Sequence, residues 1–126
     1  AIFYFSIVAI TAAIAFSLRR IGISYEVVSK KIHGNSSKTY KELNKGIIER
    51  SNVIINTTPL GMYPEIDTCP DIPYQFISAQ HLLYDLTYNP VKTLFLQKGE
   101  ERGAAIKNGE EMLVLQAEEN WRIWNS

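Results

Sequence analysis

Two ammonium groups and a hydroxyl stand together in Ser29-Lys30-Lys31, directly after the branched pair Val27-Val28. Compact cations beside a hydroxyl can hold a phosphate monoester. The same run also describes a solvated basic loop, because surface lysines are common and individually weak. Asp85 lies inside the apolar run His81-Leu82-Leu83-Tyr84-Asp85-Leu86 and needs a polar partner there. Tyr88 follows just past the end of that run, where a tyrosine either packs on a turn or faces a ligand. Gln116 interrupts a helical stripe otherwise made of Leu113, Ala117, Trp121 and Trp124. Its amide either satisfies backbone groups or binds hydroxyls. His33 and His81 are too isolated for a metal site and take surface or capping roles. Cys69 has no local base and reads as an inert small residue.

These side chains need elements to position them, and the hydrophobic pattern supplies alternating strands and helices. Ile2-Phe3-Tyr4-Phe5 is aromatic and branched, which suits a buried strand. Ile10, Ile14, Leu18 and Ile21 recur at helical spacing, with Gly22 as the stop. Tyr25-Glu26-Val27-Val28 is a second strand and Lys30 to Lys38 a polar loop. Thr39 and Glu42 have capping-box spacing and open a helix through Leu43, Ile47 and Ile48 to Arg50. Val53-Ile54-Ile55 is the third strand, and the proline-rich stretch from Thr57 to Pro73 is a long loop of the functional kind. The fourth strand runs from His81 to Leu86. Asn89-Pro90 predicts the start of a helix whose core side is Val91, Leu94 and Phe95, closed by Gly103. Ala104-Ala105-Ile106 is a short last strand, and Asn108 with Glu111 caps a helix reaching Trp124.

Apolar strands separated by single helices imply a parallel sheet covered on both faces. With right-handed crossovers this is a doubly wound, Rossmann-like α/β domain of three layers, α/β/α. Ligands of such sheets lie beyond the carboxyl ends of the strands. The candidate junctions are therefore Ser6 to Ile10, Ser29 to Lys31, Asn56 to Met62, Leu86 to Pro90, and Lys107 to Gly109. At the second junction, Ser29-Lys30-Lys31 favours NADP over NAD if a nucleotide binds. The first junction, Ser6-Ile7-Val8-Ala9-Ile10, contains no glycine, so branched side chains occupy the space through which backbone amides would approach a pyrophosphate.

The chain has 126 residues, 46% hydrophobic, with 13 Lys+Arg against 13 Asp+Glu. That size and composition predict one globular domain that needs no disulfide or metal staple. Zero net charge and the lack of like-charge blocks argue against nucleic acid as a partner. Ala1 to Leu18 is uncharged, but it includes Ser6, Thr11 and Ser17 and is shorter than the ~20 apolar residues of a spanning helix. It is read as strand and helix rather than as a membrane segment. A single cysteine suits the reducing cytoplasm.

Three ordered segments resemble the cofactor-domain signatures of shikimate dehydrogenase: Asn56-Thr57-Thr58-Pro59-Leu60-Gly61-Met62-Tyr63-Pro64, then Tyr84-Asp85-Leu86-Thr87-Tyr88-Asn89-Pro90-Val91-Lys92-Thr93, and Asn108-Gly109-Glu110-Glu111-Met112-Leu113-Val114-Leu115-Gln116-Ala117. The resemblance runs from about Ala13 to Trp124 and concerns the second half of the family's enzyme. It implies NADPH-dependent, reversible reduction of 3-dehydroshikimate to shikimate in aromatic amino-acid biosynthesis. By resemblance, Ser29, Lys30 and Lys31 match the 2′-phosphate segment, with Lys in place of the usual Arg. Asn56, Thr57 and Thr58 match the segment lining the cofactor, and Leu86 and Gly109 match positions at the nicotinamide end. Tyr88 and Gln116 match residues that reach the shikimate hydroxyls. The family's glycine-rich loop aligns with Ser6 to Ile10, where its glycines are replaced. Its catalytic Lys and Asp belong to an N-terminal substrate domain. Residues 1–126 are accordingly expected to form an NADP-binding domain without that partner domain, to be inactive alone, and to be compatible with a homodimer. The alternative is a non-catalytic Rossmann module for assembly or regulation that has lost nucleotide binding.

Overall fold

The computed structural model describes residues 2–4, 16, 18–29 and 38–125, the side chains of 2–4, 112, 113, 116 and 120 excepted. Among the described residues six strands form one parallel sheet: β1 (Ile2–Tyr4), β2 (Glu26–Ser29), β3 (Lys38–Thr39), β4 (Val53–Asn56), β5 (Leu82–Asp85) and β6 (Ala105–Lys107), in the order β3-β2-β1-β4-β5-β6. This is the order of a doubly wound dinucleotide-type sheet, whose direction of winding reverses between β1 and β4. The register sets Tyr4 beside Asn56, and Asn56 beside Asp85, so these carboxyl-terminal strand ends lie level.

Branched residues dominate the central strands because both sheet faces are covered. On one face Val28, Ile54 and Leu83 pack with Ile47 and Ile48 of α1 (Lys45–Glu49) and with Phe95 and Leu96 of α2 (Leu94–Glu101). Burying Phe95 completely contributes roughly 1.5–3 kcal/mol. On the other face Val27 meets Leu18, Tyr25 and Ile55. The helix α3 (Glu110–Trp124) follows β6.

Several boundaries differ from the sequence reading, each for a local reason. Lys38 and Thr39 form β3, so Lys38 is strand rather than loop, and Thr39 is at once the last strand residue and the expected N-cap of the capping box. Glu42 does reach back, its carboxylate accepting from the Thr39 N–H and hydroxyl at 3.1 Å each, but the turn it closes is a 3-10 helix over Tyr40–Glu42. Extended Leu43 interrupts the expected helix, and Asn44 caps α1 by accepting from the Ile47 N–H at 3.0 Å. Asn89-Pro90 does not start α2. Thr93 does, its Oγ1 accepting from the Leu96 N–H at 3.3 Å, and Val91 is exposed rather than in the core. Gly103 ends α2 as expected, at φ +89°.

The stripe expected on α3 is not buried at its far end: Trp121 and Trp124 are 71% and 86% exposed. A 15-residue helix is about 22 Å long, whereas the three residues of β6 span about 10 Å, so α3 outruns the strand before it. Among the described residues no helix is long and apolar enough to cross a membrane. The Ser6 to Ile10 turn lies outside the described residues.

Candidate functional site

The loops leaving β4, β5 and β6 converge at the carboxyl ends of those strands. After β4, the Asn56 side chain folds its own loop: Oδ1 accepts from the Thr58 N–H at 3.0 Å and from the Thr58 hydroxyl at 2.6 Å. Thr58 Oγ1 in turn accepts from the Leu60 N–H at 3.1 Å. Short polar side chains bonding to the backbone two residues on are what make such turns. The loops after β4 and β5 are tied where the Tyr63 N–H donates to the Asn89 carbonyl at 3.0 Å. The β6 loop is tied to the β5 loop by the Gly109 N–H donating to the Thr87 carbonyl, 3.1 Å, and by Asn108 Nδ2 donating to the Val91 carbonyl, 2.9 Å.

Gly109 is required by close approach. A Cβ there would run into the carbonyl of Leu86, so any side chain would push the β5 and β6 loops apart. Between the first two loops opens a concavity of ≈ 260 Å³ lined by Met62, Tyr63, Leu86, Thr87, Tyr88 and Asn89. Tyr88 and Tyr63 are 49% and 67% exposed, so both rings are available to a ligand.

Behind this concavity lies a buried polar cluster centred on Asp85. Its Oδ2 accepts from the Thr93 hydroxyl at 2.7 Å and from Asn56 Nδ2 at 3.1 Å, and its Oδ1 accepts from the Thr87 N–H at 3.0 Å. The polar partner expected for a carboxylate in an apolar strand is thus three groups from three segments. Burial pushes the carboxyl above its ordinary range, against these hydrogen bonds, which favour the ionised form.

The structure brings Leu86 and Tyr88 to one mouth, with Gly109 packed against the Leu86 carbonyl. It places Asn56, Thr57 and Thr58 directly behind, buried, with the Asn56 side chain fully enclosed. That side chain shapes the loop and does not face the concavity. Ser29 is buried at the end of β2. Lys30, Lys31 and the Gln116 side chain lie outside the described residues. His81 is buried just before β5 rather than on the surface. Its Nε2 lies 2.7 Å from the Ile48 carbonyl, which also accepts from the Ser51 N–H at 3.1 Å, and its Nδ1 accepts from the Ser78 N–H at 3.0 Å, so its ring caps backbone groups of two segments. No group of three potential metal ligands occurs among the described residues. Met62, Tyr63 and Thr93 were not singled out from the sequence. Met62 and Tyr63 stand in the loop-forming segment after β4, and Thr93 three residues before Leu96 is the spacing of an N-cap.

No family model matches the chain. It is 42% identical over 91 residues to a shikimate dehydrogenase (NADP(+)) of Methanococcus aeolicus, a match covering 71% of this chain and 33% of that protein. It is 40% identical over 82 residues to the shikimate dehydrogenase (NADP(+)) of Desulforamulus reducens, covering 65% of this chain and 28% of that one. Among solved structures, a chorismate mutase/shikimate 5-dehydrogenase fusion protein from Clostridium acetobutylicum matches 98% of this chain and 45% of its own, at 32% identity and a TM-score of 0.77. The chain therefore spans about a third of the length of the curated relatives it matches, 28% and 33% for these two.

Proposed function

We infer that this chain is a member of the shikimate dehydrogenase family carrying its cofactor-binding domain over residues 1–126, and that it serves NADPH-dependent, reversible reduction of 3-dehydroshikimate to shikimate. The observation that carries this reading is the concavity between the β4 and β5 loops, beside the β6 loop tied to them, combined with about 40% identity to NADP(+) enzymes along most of the chain. The residues present fit the nicotinamide half of the cofactor. Gly109 and Leu86 bring two strand ends close enough to form a floor, and only a residue without Cβ permits it. The pyrophosphate half is different: the glycine-free Ser6 to Ile10 turn offers no close backbone approach in its sequence.

When bound, the cofactor supplies the hydride. This chain's own residues bind and orient. Ser29, Lys30 and Lys31 recognise the 2′-phosphate, and two ammonium groups give it charge without the planar fork of an arginine. Asn56, Thr57 and Thr58 lie buried behind the cofactor, and hydrogen bonds of the Asn56 and Thr58 side chains fix the backbone shape that their loop presents. Leu86 and Gly109 border the ring, while Tyr88 and Gln116 reach the substrate hydroxyls. Proton transfer falls to the Lys and Asp that the family carries on its substrate domain.

Titration with NADPH, followed by fluorescence or calorimetry, tests this. Micromolar binding is expected, weakened roughly tenfold when Lys30 and Lys31 become Ala, the loss of about 1.4 kcal/mol of charge-assisted contact. The altered turn favours one competing reading, a Rossmann module that has lost nucleotide binding and serves assembly or regulation. Silence in the titration would select it.

A further inference from the structure

We propose that Asp85 is a positioning residue: its carboxylate sets the shape of the loop after β4, and hence of the cleft, by holding the Asn56 amide in one orientation. The proposal deepens the cofactor-domain reading, since that loop borders the cleft. The Asn56 amide has two unlike ends. Its Oδ1 must face donors, and it does, accepting from the N–H and hydroxyl of Thr58. Its Nδ2 must then face acceptors, and these are Asp85 Oδ2 at 3.1 Å and the Leu60 carbonyl at 3.3 Å. With a donor in place of Asp85 Oδ2, the amide keeps either its neighbour or its loop, not both. The same carboxylate oxygen accepts from Thr93 Oγ1, the N-cap of α2, and the other oxygen accepts from the Thr87 N–H. One side chain thus indexes the β4 loop, the β5 loop and the start of α2 to each other.

A merely structural role is the weaker account. Enclosing a carboxylate costs several kcal/mol that its partners only partly return, so a well-packed apolar residue is commonly as stable. Burial outweighs the hydrogen bonds in setting where Asp85 titrates, so the fold is less stable with this carboxyl ionised than with it protonated. Asp85 specifies one arrangement of the polar groups behind the cleft, at a position level with Asn56 on the neighbouring strand.

Amide hydrogen exchange and NADPH titration of three variants of the full chain test this. In Asp85→Asn, exchange at Thr58, Leu60 and Thr87 is expected to accelerate at least tenfold, and NADPH affinity to fall at least tenfold at a temperature where the variant is folded. Thr93→Val removes the cap bond and the hydroxyl's bond to Asp85 but leaves the Asn56–Asp85 contact. It is expected to lower the melting temperature while Thr58 and Leu60 stay protected and affinity changes less than about threefold. The exchange of partners, Asn56→Asp with Asp85→Asn, reverses the hydrogen bond between the two residues but leaves the Leu60 carbonyl without its amide donor and the Thr93 hydroxyl without its acceptor, so it is expected to restore the protection of Thr58, and with it affinity, only in part relative to Asp85→Asn alone. Unchanged protection of Thr58 and Leu60 in Asp85→Asn would overturn the proposal, as would equal loosening in Thr93→Val, or loosened loops with unchanged affinity. If Asp85→Asn does not fold, a folded exchange variant with protected Thr58 supports the proposal, and failure of both to fold shows a structural role instead. If the unaltered chain binds no NADPH, the cofactor reading fails while the exchange pattern still decides whether Asp85 shapes the loop.

Discussion

Asp85 shows how one side chain can be costly and specific at once. Its folded-state carboxyl is raised by burial, so protonation favours the folded state. Its contribution to stability is present below the unfolded value and is lost as pH rises through the folded one. The stability of the unaltered chain relative to Asp85→Asn, which cannot titrate there, should therefore be highest below about pH 4 and decline toward neutrality. Urea denaturation across that range measures it, and a difference that grew with pH would mean that the hydrogen bonds outweigh burial. The need for a partner at Asp85 was legible in the sequence, since a charge in an apolar strand must be satisfied. The identity of the partners was not. Asn56 lies 29 positions away and Thr93 eight, and no local pattern connects them.

At the scale of elements, the parallel strands and their order follow from branched runs separated by helices, while the helix starts depend on competition among nearby caps. Asn89-Pro90 carries a helix-start signal, yet Thr93 wins because its hydroxyl can both accept from the Leu96 N–H and donate to buried Asp85. Glu42 likewise closes a turn and leaves the cap of α1 to Asn44. The junction of β5 and β6 offers a sharp test. Gly109→Ala should destabilise the chain by about 1–3 kcal/mol through overpacking against the Leu86 carbonyl, read from the urea midpoint. A change within about 0.5 kcal/mol would mean that the two loops separate at little cost and that close approach is not what selects glycine there.

For the whole molecule, neutral charge and modest length are compatible with a metabolite-binding domain in which Lys30-Lys31 is the cationic pair at a strand-end junction. Hydride transfer needs the nicotinamide ring and the substrate carbon held within near-attack distance, with a proton donor in place. The 126-residue chain is proposed to supply one wall of that cleft. Incubated as it stands with shikimate and NADP, it should give no turnover above the uncatalysed rate, followed by absorbance of the reduced cofactor. Robust turnover would place the proton-transferring groups on this chain and overturn the assignment of Tyr88 and Gln116 as substrate contacts only.

The sequence by itself determined the class of sheet, because period and branched composition depend on neighbours a few residues away. It also marked the strand-end junctions, the loss of glycine between Ser6 and Ile10, and the signature segments around Asn56, Tyr84 and Asn108. Only the tertiary structure decided which of those residues face the cleft and which stand behind it. Asn56 and Tyr88 belong to neighbouring signature segments, but the sheet register buries the first beside Asp85 and leaves the second at the mouth. Burial is a property of what the rest of the chain packs around a residue, and hydrogen-bond partners tens of residues apart meet only when parallel strands are set level. For that reason the chemistry of the site was readable as residue types, while its geometry, with Asp85 behind it and Gly109 beneath Leu86, was not.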